Sequence, residues 1–102
     1  MRQTYSKAIP RAWRRTAGMF TALGDPHRQR ILLMFDPGEK LTVGEIVAAS
    51  PLSRTAVAHH LKVLREAGVL HARKVGKEVW YRTDPEAVRK ALHDVLDYLS
   101  DM

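Results

Sequence analysis

Arg54, Thr55, Ala58, His59, Lys62 and Arg65 recur one and three positions apart along RTAVAHHLKVLRE (54–66), so on a helix they share one face. Their chemistry suits the edges of DNA bases and the phosphates beside them. A guanidinium at Arg54 can give guanine two parallel hydrogen bonds, and the Thr55 methyl and Ala58 can meet thymine methyls. Lys62 and Arg65 suit phosphate oxygens, which position a protein without specifying sequence. On the opposite side Val57, Leu61 and Leu64 stand at i, i+4 and i+7 as an apolar stripe. Ser53 is placed to cap the helix start, and Gly68 to end it in the left-handed conformation. The pattern predicts a helix that docks on one face and reads on the other.

A second basic group follows. Arg73, Lys74 and Lys77 flank the Gly76-Lys77 turn between two expected strands, Val69–Val75 and Lys77–Thr83. They suit the grip of a hairpin on the adjacent backbone or narrow groove, although charged hairpin tips also serve as edge protection. Trp80 and Tyr81 are read as aromatics that pack this hairpin, and His60 as a hydrogen-bonded histidine at the edge of the core. Arg11, Arg14 and Arg15 either extend the phosphate footprint or keep the protein soluble. Catalytic patterns are missing: there is no nucleophile elbow, phosphate-cradling glycine loop or H-E-x-x-H. No spacing among His27, His59, His60, His71 and His93 suggests a metal or acid–base centre. No catalytic residue, metal or cofactor is expected.

The elements that must hold these residues are legible in caps and turns. A first helix begins near Pro10 with Trp13, Ala17, Phe20 and Leu23 as its apolar stripe. Asp25-Pro26 caps and opens a second, carrying Ile31, Leu32, Met34 and Phe35 to the turn Asp36-Pro37-Gly38. Thr42 and Glu45 match a capping box for a third helix that ends near Ala49, before the helix from Ser53. Asp84-Pro85 opens the last, with Val88, Leu92, Val95, Leu96, Leu99 and Met102 in one stripe. A small domain has little core left to cover that stripe, so Trp13, Phe20, Val88, Leu92, Val95, Leu96 and Leu99 are expected to pair with a second copy.

The fold class expected is mainly α with a small β-hairpin, a winged helix-turn-helix of αααα-ββ-α order dimerising through its first and last helices. With 102 residues the chain reads as one domain. Residues 1–8 are expected as a flexible arm, 42–66 as the helix-turn-helix, 69–83 as the wing and 84–101 as the dimerisation helix. The net charge of +6 is segregated: residues 53–82 hold seven Arg and Lys against Glu66 and Glu78, while 83–102 are acidic. There are no cysteines, which excludes disulfides and thiolate ligation. No apolar run approaches the roughly 20 residues of a membrane span, and no secretory signal is visible. A cytoplasmic protein with no membrane partner is expected.

Three stretches, FTALGDPHRQRILLMF (20–35), LSRTAVAHHLKVLREAGVL (52–70) and RKVGKEVWYR (73–82), resemble the ArsR/SmtB family of bacterial winged-helix repressors. The combination is specific and spans roughly residues 17–83 in order. The resemblance implies a homodimer that binds double-stranded operator DNA, represses, and is released by an effector. The family's sensing positions depart from the pattern. The stretch GEIVAAS (44–50) has no cysteine, and the terminal-helix metal positions carry Asp84, Glu86, Asp97 and Ser100, with no imidazole. His93 and Asp94 lie out of register. Two alternatives stand beside a repressor without a metal site. One is a sensor of a small molecule or oxygen-ligated metal near the terminal helix, and the other a winged-helix protein-interaction module that has lost DNA binding.

Overall fold

A computed structural model describes residues 8–100; of the expected arm only Ala8 falls within it, and Met102 of the terminal stripe lies outside. The elements run α1 (Arg11–Leu23), α2 (Pro26–Leu32), β1 (Lys40–Thr42), α3 (Val43–Ala49), α4 (Arg54–Glu66), β2 (Leu70–Val75), β3 (Glu78–Thr83) and α5 (Pro85–Ser100). Their starts follow from side chains that satisfy free backbone N–H groups. The Asp25 carboxylate accepts from the N–H of His27 at 2.8 Å and of Arg28 at 3.2 Å. Thr42 and Glu45 form the full capping box of α3, Ser53 accepts from Ala56 N–H at 3.1 Å, and Asp84 from Ala87 N–H at 3.1 Å. Past α4, Gly68 takes φ 84°, and Gly76 opens the two-residue hairpin turn at φ 61°. An L side chain at either position would be strained.

The sheet is antiparallel in the order β1-β3-β2. The strand β1 was not expected. It is three residues long, too short to display alternation, and it forms because the outer edge of β3 would otherwise lie unpaired. Helix α2 is a turn shorter than expected. Pro37 disfavours helical backbone at Asp36, and the chain leaves α2 through i→i+3 bonds from Met34 N–H to Ile31 O and from Phe35 N–H to Leu32 O.

One core joins the elements. The α4 stripe of Val57, Leu61 and Leu64 is at most 1% exposed. It shares its cluster with Met19 and Ala22 of α1, Ile31 of α2, Ile46 of α3, Leu70 of β2 and Tyr81 of β3. The core face of α1 is Thr16, Met19 and Ala22, not the expected stripe of Trp13, Ala17 and Phe20, which lies to one side. Ala12 and Thr16 of α1 face Ala87 and Ala91 of α5 across a shallow pocket, and Phe20 is turned out to 44% exposure. Trp80 differs too. Strand alternation buries Tyr81 and leaves Trp80 half-buried on the solvent side of the sheet, so only Tyr81 packs inward.

The radius of gyration is 16.1 Å, with extents of 53 × 25 × 22 Å; a sphere-like chain of about 100 residues has about 13 Å. Length on this scale means that elements project beyond the core. Helix α5 is one of them, since only Ala91 is buried along it. Truncating Leu64 to Ala in the core is expected to cost about 2–5 kcal/mol. In urea unfolding followed by circular dichroism, the midpoint falls and the m-value stays unchanged.

Candidate nucleic-acid interface

Helices α3 and α4 form the helix-turn-helix unit, joined through Ser50-Pro51-Leu52. The turn is closed by Ser50, whose hydroxyl accepts from Leu52 N–H at 3.0 Å. With the α4 stripe buried, the predicted reading residues all fall outside: Ser53, Arg54, Thr55, Ala58, His59, Lys62 and Arg65 are exposed. Ser53 is committed to its cap. Lys62 lies 3.9 Å from Glu66, with both side chains more than half exposed. Such a pair is worth little and yields readily to a phosphate.

The wing closes against the start of α4. A groove of about 260 Å³ is lined by Thr42, Val43 and Gly44 on one side, Lys77, Glu78 and Val79 on another, and Arg54. The structure therefore brings together Arg54 of the helix and Lys77 of the wing tip, residues far apart in the chain. It separates Arg73 from Lys74. Both are exposed, but they alternate along β2, so Arg73 shares the outer face of the sheet with Trp80 and Lys74 faces the other way beside Val79.

A residue that the sequence pattern does not single out ties α4 to the first two helices. The Arg28 side chain is only 12% exposed and lies 3.9 Å from Asp25, the cap of α2. Its Nε donates to Ala22 O at 2.7 Å and its Nη2 to Thr21 O at 3.1 Å, while Nη1 lies 3.3 Å from Nδ1 of His60. Gln29 Nε2 adds a donor to Leu23 O at 2.6 Å. Free carbonyls at the end of α1 are thus satisfied from α2, and the same guanidinium reaches α4. Arginine can only donate, so His60 must accept through Nδ1 and carry its proton on Nε2. His60 is the core-edge histidine expected. The rings of His27 and His59 each lie 5.7 Å from it. Burial holds the His60 imidazole below its ordinary value of 6.5; Asp25 opposes, and the Arg28 charge and the two neighbouring histidines push the same way as burial. The available sequence signal was the cation three residues after the Asp25 cap.

On the far side His71 of β2 lies 2.6 Å, through Nε2, from Asp84 Oδ2. That bond, with the Ala87 N–H, holds the Asp84 carboxyl below its ordinary 3.8. Asp84 is one of the terminal-helix metal positions, and here both its oxygens are engaged in capping α5 and tying it to the wing. Among the described residues no three His, Cys, Asp or Glu side chains converge to hold a metal. The donors at the positions that the resemblance implies for a metal are three carboxylates and a hydroxyl, with no thiolate or imidazole of the kind zinc prefers.

The predicted pairing residues form a band on α1 and α5. Trp13 stacks edge-on against Tyr98 at 5.5 Å, and Val88 and Val95 are half-buried. Leu92, Leu96 and Leu99 remain 48%, 57% and 57% exposed. Among the described residues nothing covers them.

The helix-turn-helix domain family matches residues 23–73. A transcriptional repressor, an SmtB homolog from Synechocystis sp., is 33% identical over 85 residues, covering 83% of this chain and 64% of its own length. The chain thus spans only part of that relative. An HTH-type transcriptional regulator of Mycobacterium tuberculosis is 38% identical over 87 residues, 85% of this chain and 73% of its own. An ArsR-like transcriptional regulator from Rhodococcus sp. RHA1 superposes with a TM-score of 0.79 at 27% identity, over 88% of this chain and 84% of its own.

The Arg28–His60 joint gives stability a pH dependence of definite sign. His60 titrates lower in the folded chain than in the unfolded one, so the unfolded state takes up the proton first as pH falls. Stability is full above about pH 6.5 and declines below it. His60→Asn keeps an acceptor for Arg28 and removes the titration. Thermal melts from about pH 8 to about pH 5 are expected to fall less steeply for this variant than for the parent; parallel curves would sink the assignment.

Proposed function

Since this chain belongs to the ArsR/SmtB family of winged helix-turn-helix transcriptional regulators, we propose that it works as a homodimeric repressor reading operator DNA through α4 and gripping it through the wing. In this reading Arg54, Thr55, Ala58 and His59 contact base edges, Lys62 and Arg65 contact phosphates, and Ser53 sets the helix start. Lys77 follows the backbone beside Arg54, with Arg73 and Lys74 on either face of the wing. The observation that carries it is the groove shared by Arg54 and Lys77, which joins a base-reading helix face to a cationic hairpin tip. The protein works in the cytoplasm, where its operator lies, and performs no catalysis.

The exposed band of Leu92, Leu96 and Leu99 supports the dimer. Two copies joined there would present two α4 helices to half-sites one helical turn apart. A second reading, an effector-responsive sensor, is favoured by one feature. An apolar cavity of about 430 Å³, lined by Leu23, Leu32, Val69, Val88 and Leu92, opens beside this band. Its size suits a small molecule, and its occupant would bear directly on the pairing face.

Binding of the purified protein to the promoter region of its own gene, against random duplex at physiological salt, tests the main reading. A preference of about a thousandfold or more is expected; equal weak binding to both would favour a winged-helix module that recognises proteins. Arg54→Ala is expected to relax sequence preference at one base position by about 1–3 kcal/mol, while Lys77→Ala weakens all duplexes alike. Identical behaviour of the two would refute the division between reading and gripping. The double substitution Leu92→Glu, Leu96→Glu is expected to give a folded monomer in analytical ultracentrifugation, with operator affinity lost alongside.

A further inference from the structure

The outer face of the three-stranded sheet lies outside the helix-turn-helix and the wing tip, and its register assembles a second cationic surface. Lys40 pairs with Arg82, and Arg82 with His71, so three basic residues form one row across the strands. One step nearer the wing tip, Thr42, Trp80 and Arg73 form the next. Rows two residues apart stand roughly 6.6 Å from each other, and neighbouring strands about 4.8 Å. Lys40, His71, Arg73, Trp80 and Arg82 wall a pocket of about 340 Å³ whose floor is the strand backbone at Ala72 and Tyr81.

Two features argue against simple edge protection. His71 is engaged by Asp84 at the end of its row, but Lys40, Arg73 and Arg82 form no ion pair among the described residues. And the indole of Trp80 is kept half-buried among these cations instead of inside the core. Unpaired cations around an aromatic wall match a phosphate ester and its sugar.

We infer that this sheet face binds the sugar–phosphate backbone of duplex DNA flanking the segment that α4 reads. The inference rests on the operator-binding reading above. It is favoured over an acidic protein partner by continuity. Thr42 lines the groove that holds Arg54 and Lys77, and Thr42 also begins the row of Trp80 and Arg73. A duplex leaving that groove meets Arg73 first and the Lys40–Arg82 row next. The predicted division of labour along the wing is refined accordingly: Arg73 serves the flank, and Lys77 at the turn the groove.

The test uses a core duplex selected by the full-length protein from a random pool. That core is prepared alone and with flanks of about ten base pairs, one helical turn, on each side. The parent protein is expected to bind the flanked duplex more tightly and with a steeper salt dependence. The variant K40Q/R82Q is expected to match the parent on the bare core and to lose the gain from the flanks. Its log–log salt slope on the flanked duplex falls by about 0.9 for each phosphate that is no longer neutralised. Melting temperatures establish that the variant is folded, and should it not be, R82Q alone carries the same comparison. A parent that gains nothing from flanks, or a variant that loses equally on both duplexes or on neither, overturns the inference while leaving operator binding intact. A parent that binds no duplex overturns both readings together.

Discussion

Docking of α4 through Val57, Leu61 and Leu64 is the constraint on which the other elements depend. A helix of 13 residues is marginal on its own; what holds it is an apolar stripe that every other layer of the domain helps to cover. Ile31 comes from α2, Ile46 from α3 and Leu70 from β2, so the sheet and the first helices all contribute to the surface on which α4 docks. Burying one face completely frees the other from any structural duty. That freedom permits six successive outward positions without a large apolar side chain, a surface that would be wasteful on a helix serving packing alone.

Around this dock, polar groups fix angles that apolar packing leaves loose. Dispersion and hydrophobic contacts tolerate sliding, whereas a guanidinium with fixed donor directions does not. Arg28 gathers the end of α1, the cap of α2 and the side of α4 into one cluster. His71 and Asp84 do the same between β2 and the start of α5. The first joint is part-buried and ties helix geometry to the protonation state of His60.

The sequence disclosed what is local and periodic. Caps at Asp25, Thr42, Ser53 and Asp84, the left-handed Gly68 and the two faces of α4 are each decided within four or so residues, and each is found as expected. Legibility stops where a decision is made across the chain. Arg28 meets partners six, seven and thirty-two residues away, and no window of the sequence shows them together. Strand β1 exists only because β3 offers it an edge. Which face Trp80 takes depends on register, which a run of VWY cannot reveal when every residue is a strand former. The core face of α1 differs from expectation too: a Trp and a Phe outweigh Thr and Ala in hydrophobicity, yet Thr16, Met19 and Ala22 are the residues buried, and Phe20 is exposed.

The outline of the molecule follows from how little α1 and α5 cover of each other: the residues facing across them are alanines and a threonine beside charged groups, and only Ala91 is buried along α5. Trp13 and Tyr98 meet edge-on at the margin, and the leucines of α5 face outward along its length. Transfer of three such leucines from water is worth about 1.5–3 kcal/mol each when complete, and a second copy would supply both its own leucines and its Phe20. In the homodimer proposed above, leaving the leucines outside would couple the energy of pairing to the spacing of the two α4 helices, so that the residues worst placed for a monomer would set the geometry of a two-site reader.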